Sequence, residues 1–164
     1  MMRRLLVVLG TLVCLVGVAD SASAQATGTR QLTIAIPPGV SFNVVNTTVS
    51  TTGNPSPFRV TITNSTVRTA DKVYVSVKAD TTNFSGPGTT RIPASKVSWT
   101  ATAVGGGQTT AGTLSSTAYS QVYQTNTNPK AGAFDMTWRL AAPSAAGLRA
   151  GTHSLTVRWR IEAF

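Results

Sequence analysis

Apolar and polar side chains alternate with a period of two along most of this chain. Leu32, Ile34 and Ile36 share one face before Pro37-Pro38-Gly39 ends the run. Phe42 and Val44 follow, then Phe58, Val60 and Ile62, with Asn64-Ser65 as a turn signal. Val73, Val75 and Val77 make the cleanest inward stripe, with Tyr74, Ser76 and Lys78 on the opposite face. Val97, Trp99, Ala101 and Ala103 continue the pattern, and Gly105-Gly106-Gly107 then turns the chain into 108–114, which reads as a hairpin. One more strand is expected within 117–124. Phe134, Met136, Trp138 and Leu140 share a face, and so do Leu155, Val157, Trp159 and Ile161. Period two places alternate residues on opposite sides of a strand, so each segment has one apolar and one polar face. No segment repeats apolar residues at helical spacing.

Eight or nine such strands, each with one wet face, predict antiparallel sheets; strands of buried parallel sheets read instead as unbroken apolar runs. The expected fold is all-β, an antiparallel two-sheet sandwich of immunoglobulin-like type, with a jelly roll as the alternative. The chain is rich in Thr and Val, which are branched at Cβ and favour pleated strands. Trp99, Trp138 and Trp159 fall in phase with the aliphatic stripes and are expected in the core.

The N-terminus follows a different pattern. Met1-Met2-Arg3-Arg4 is a basic start, residues 5–18 are largely apolar, and Ala22-Ser23-Ala24 has the small residues of a cleavage site. Residues 1–24 are therefore expected to be an export signal, leaving 25–164 as a single domain. Export to a bacterial periplasm, cell surface or medium is the expected localisation. The only cysteine, Cys14, would leave with the signal. The exported domain would then depend on packing rather than disulfides. No later segment approaches the roughly 20 apolar residues of a membrane span.

Charge and chemistry narrow the function classes. Removing Arg3, Arg4 and Asp20 takes the formal charge from +9 to about +8. The cations are spread along the strands without a basic run, so they are expected to solvate faces and guard edges rather than bind nucleic acid. His153 is the sole histidine, and no G-x-S-x-G elbow accompanies it. Asp71 and Asp80 bracket one strand, nine steps apart at about 3.3 Å each, too far to act on one bond. Zinc and copper sites lack ligands, whereas calcium, which takes oxygen ligands, stays open. The expectation is a protein with no catalytic residues, no cofactor and no metal centre. Tyrosines offer a different chemistry: Tyr74 is out of phase with its valines, and Tyr119 and Tyr123 lie four apart on one strand face. If exposed, these three form a platform on which sugar rings of a polysaccharide stack. The alternative is that Tyr119 and Tyr123 belong to the core.

The segment Ala150-Gly151-Thr152-His153-Ser154-Leu155-Thr156-Val157-Arg158-Trp159 resembles the C-terminal strand of bacterial pilin and spore-coat-U-like domains. It departs from their pattern at His153, at the terminal Phe164, and in lacking a disulfide. Thr137-Trp138-Arg139-Leu140 is also similar to cell-wall-binding WxL domains. The pilin-like resemblance implies an exported immunoglobulin-like sandwich that assembles at the cell surface, in some cases completed by a strand from a neighbouring subunit. In that setting Leu32, Ile34 and Ile36 are a possible strand-addition segment; otherwise they are the first strand of their own sandwich. The resulting expectation is a non-enzymatic structural or adhesive surface protein whose partner is itself or another surface protein. A carbohydrate-binding module is the alternative, and an exported hydrolase the remote one.

Overall fold

The computed structural model describes residues 32–63, 66–68, 70–127, 129, 131–143, 147–149 and 151–164. The expected signal and its cleavage site lie outside these residues. The described chain is all-β, an antiparallel two-sheet sandwich, with a single 3-10 turn at Ala94–Lys96. Ten strands follow in order: β1 (Thr33–Ala35), β2 (Thr51–Thr52), β3 (Phe58–Thr63), β4 (Val73–Ala79), β5 (Val97–Val104), β6 (Gln108–Thr109), β7 (Gly112–Thr113), β8 (Ser120–Gln124), β9 (Gly132–Leu140) and β10 (Val157–Ala163).

One sheet runs β1-β3-β9-β5-β7, with β2 also paired to β9; the other runs β10-β4-β8-β6. The order β1-β3-β9-β5 follows the A-B-E-D sheet of immunoglobulin-type sandwiches, and β10 beside β4 follows their F–C pair. The departure from that plan is β8, which flanks β4 but comes after β5 in the chain.

The alternation read from the sequence is what drives the two sheets together. Val73, Val75 and Val77 of β4 are completely buried, as are Val60 and Ile62 of β3 and Phe134 and Met136 of β9. Aromatic rings tie the layers. Trp159 of β10 stacks on Phe58 of the other sheet at 6.2 Å, Phe58 meets Trp138 edge-on at 6.3 Å, and Trp138 meets Trp99 at 5.7 Å. Tyr123 of β8 stacks across the sandwich on Phe134 at 4.7 Å. Such pairs add specific geometry to a large buried apolar area. Trp99 and Trp138 are core residues as expected. Trp159 is only half-buried, because β10 is the outermost strand of its sheet.

The expected hairpin after Gly105-Gly106-Gly107 takes another form. Residues 108–114 change sheets: β6 pairs with β8, whereas β7 pairs with β5. The crossing is pinned by Trp99, whose indole N–H donates to the Thr110 carbonyl at 2.8 Å. Gly112 then passes directly over the Trp99 ring, where a Cβ would overlap the indole. A hairpin pattern in sequence cannot distinguish one sheet from two when the apolar face is buried either way.

On the outer face of the larger sheet, Arg59 and Asp135 are cross-strand partners joined by two hydrogen bonds of 2.7 Å. The hydrogen bonds from Arg59 hold the Asp135 carboxyl below its ordinary range.

Two outcomes are expected. Phe134→Ala, which removes a fully buried ring, should cost about 3–5 kcal/mol in urea unfolding. Asp135 has a lower pKa in the folded protein than in the unfolded chain. The stabilisation it brings is therefore complete above the unfolded value, near pH 4, and is lost as pH falls through the folded value. Asp135→Asn should accordingly flatten the loss of stability on acidification below about pH 4, measured as melting temperature against pH.

Candidate functional site

The outer face of the smaller sheet carries a cluster of partly exposed aromatic and cationic side chains. Tyr74 lies there half-buried, stacked on Phe164 at 4.6 Å. Reciprocal backbone bonds between Phe164 and Lys72 hold the C-terminal residue in place. Tyr119 lies on the same face, with the Lys78 ammonium 5.3 Å and the Arg160 guanidinium 4.6 Å from its ring centroid. The tyrosine surface thus serves as a seat for cations, an arrangement favoured by the negative face of the ring. Arg158 pairs with Asp80, and Arg160 with Glu162.

Tyr123 does not join them, which corrects the expectation that it shares a face with Tyr119. Val75 pairs with Tyr123, but the next pair is Ser76 with Gln121, so Val122 is an extra residue in β8. This bulge reverses the alternation and turns Tyr123 inward. Its ring is 1% exposed, its hydroxyl donates to the Gly106 carbonyl at 2.8 Å, and burial raises its pKa. No sugar can stack on it. The period-two reading misses the bulge because the sequence Ser-Gln-Val-Tyr-Gln carries no glycine to mark it.

Leu32, Ile34 and Ile36 fall within the molecule's own sandwich. Ile34 is 4% exposed and pairs with Ile62, while Leu32 and Ile36 pack half-buried against the core. β1 thus acts as the first strand of its own sheet.

β10 presents an edge. Lys72 and Phe164 exchange both backbone hydrogen bonds, and antiparallel pairs alternate between bonded and non-bonded. In this register Glu162, Arg160 and Arg158 direct their N–H and C=O groups to β4. The corresponding groups of Val157, Trp159, Ile161 and Ala163 therefore point away from it. No strand among the described residues pairs with that side. The side chains of the same four residues form the half-covered apolar stripe of β10.

At the end of the sandwich where β9 finishes and β10 begins there is a cavity of about 720 Å³. Trp138, Leu140, Val97 and Val157 belong to its sheet walls, and residues of 40–47, 148–149 and 151–155 line it from outside the sheets. Its rim is tied down: the Ser85 and Ser154 hydroxyls lie 2.8 Å apart, and Arg91 donates to the carbonyls of Gly86 and Gly88 at 2.6 Å. His153 lines the cavity; its Nε2 bonds the Arg149 carbonyl at 3.0 Å, and its ring packs so closely on Gly86 that a Cβ there would overlap it. The cavity has no local signature in the sequence, because its lining comes from several separate segments.

Asp71 and Asp80 stand just before and just after β4, with Asp80 engaged by Arg158. Among the described residues, no group of three or more His, Cys, Asp or Glu side chains converges as a metal site. No helix among them is long and apolar enough to cross a membrane.

Tyr119 and Tyr123 should respond very differently to the same change. Tyr123→Ala should cost about 3–5 kcal/mol in urea unfolding, as for other buried rings, and Tyr119→Ala about 1 kcal/mol or less.

Compared with known proteins, the chain matches no family model and has no significant match among curated sequences.

Proposed function

We propose that this protein is a non-enzymatic, exported structural or adhesive component of a bacterial surface or extracellular matrix. It assembles by accepting a β-strand along β10, supplied by another copy or by another surface protein. The observation that carries this reading is the outer edge of β10, where four successive outward-facing backbone units coincide with a half-covered apolar stripe. An added strand would bond those N–H and C=O groups and cover Val157, Trp159 and Ile161, which is β-strand addition in its usual form. Buried backbone groups without partners are costly, so backbone pairing and apolar cover reinforce each other.

The sheet order adds support. In immunoglobulin-type sandwiches the F strand lies between C and G, and β10 takes the place of F with β4 as C. An incoming strand would occupy the position of G. The resemblance of residues 150–159 to pilin-type C-terminal strands points the same way. The exposed Arg158 and Arg160 alternate with the apolar stripe and would discourage indiscriminate pairing, since charged side chains blunt an edge.

The test is the native mass of the exported protein, alone and with an edge variant. Ile161→Pro removes an N–H that points away from β4, so the fold should persist while strand addition fails. Wild type should form multimers or a stable complex, and Ile161→Pro should run as a folded monomer. A wild-type protein that stays monomeric at high concentration and captures no strand would refute the assignment.

A further inference from the structure

The space of about 720 Å³ at the end of the sandwich is a cleft partly open to solvent. Its volume falls in the range of about 300–1,000 Å³ typical of small-molecule pockets, and apolar side chains form most of its wall. We propose that this end cavity binds a free single-chain amphiphile with an anionic head, its apolar body among Phe42, Phe84, Leu148 and Leu155 and its head at Arg149.

Two independent features specify the ligand's chemistry. The first is charge. Among the described residues lining the cavity, Arg149 and His153 are the ionisable ones, and none is Asp or Glu. Arg149 is exposed, and no acidic side chain among the described residues pairs with it. The second is hydrogen-bonding capacity left unused. Among the described residues, two buried side-chain nitrogens lack a partner: Trp138 Nε1 and His153 Nδ1. Both belong to residues of this cavity's wall. Trp138 is 2% exposed, and Trp99, its direct cross-strand neighbour, has its own N–H satisfied by the Thr110 carbonyl. A buried indole N–H without an acceptor calls for an explanation. A polar head with acceptor oxygens supplies one. His153 Nδ1 faces Gly86, where a Cβ would overlap it, so the Trp138 indole N–H carries this feature.

The occupant follows from the combination. An apolar wall with a cation and no acid favours an alkyl carboxylate over a neutral lipid, a sugar or a cationic ligand. The site meets the strand-addition edge at Val157, while the rest of its lining, including residues of 40–47, 148–149 and 151–155, lies off that edge.

The experiment titrates the exported protein with dodecanoate, below its micellar range, and with dodecanol as the neutral control. Binding is read by calorimetry and by tryptophan fluorescence. Dodecanoate should bind at least about tenfold more tightly than dodecanol, a difference of about 1.4 kcal/mol. Arg149→Gln, on an exposed side chain, should remove most of that preference. Leu148→Trp, which fills the cavity, should abolish binding of both at an unchanged melting temperature; if it unfolds the protein, Arg149→Gln still decides. Absence of dodecanoate binding at millimolar concentration would overturn the proposal. So would equal binding of the two probes, no effect of Arg149→Gln, or association with anionic phospholipid vesicles but not with dodecanoate.

Discussion

Two facing apolar stripes, one on β4 and one on β9, hold this molecule together. Val73, Val75 and Val77 are sealed from water on one side, and Phe134, Met136, Trp138 and Leu140 on the other. Each stripe belongs to a strand with neighbours on both sides, so each sheet is organised around one central strand with a buried inner face. A one-residue slip in either would turn its apolar set toward solvent, and this penalty fixes the register of the whole sandwich. The row Trp159–Phe58–Trp138–Trp99 then runs across both layers and locks their relative position.

What the protein offers to other molecules arises where that packing is incomplete. At β10 the sheet stops before its apolar stripe is covered, leaving backbone groups and side chains unsatisfied along the same line. At the end of the sandwich, the walls stand apart around a cavity instead of closing on each other. The outer face of the smaller sheet is already satisfied internally: Tyr119 seats two cations, Tyr74 stacks on Phe164, and Asp80 and Glu162 answer Arg158 and Arg160. Such a surface has less to gain from a partner than the edge or the cavity.

Much of the architecture is legible in the chain because burial on one face imposes a period of two. The stripes of β3, β4, β9 and β10 can be read directly, as can the core positions of Trp99 and Trp138. Three features cannot. The β8 bulge depends on how β8 aligns with β4, and no local residue announces it. The sheet change within 108–114 depends on Trp99 reaching the Thr110 carbonyl from another strand. The cavity depends on several distant segments meeting, and its unpaired Trp138 nitrogen is indistinguishable in sequence from the paired one of Trp99.

The sequence by itself therefore determined the class of fold, most of the inward-facing residues and the scarcity of histidine and acidic side chains, since these follow from local alternation and composition. Only the tertiary structure decided that Tyr123 faces inward, that Leu32, Ile34 and Ile36 complete their own sheet, and that β10 is left with an open side. These outcomes turn on which strands become neighbours, and neighbour choice is set by long-range pairing and packing that no single stretch of residues encodes.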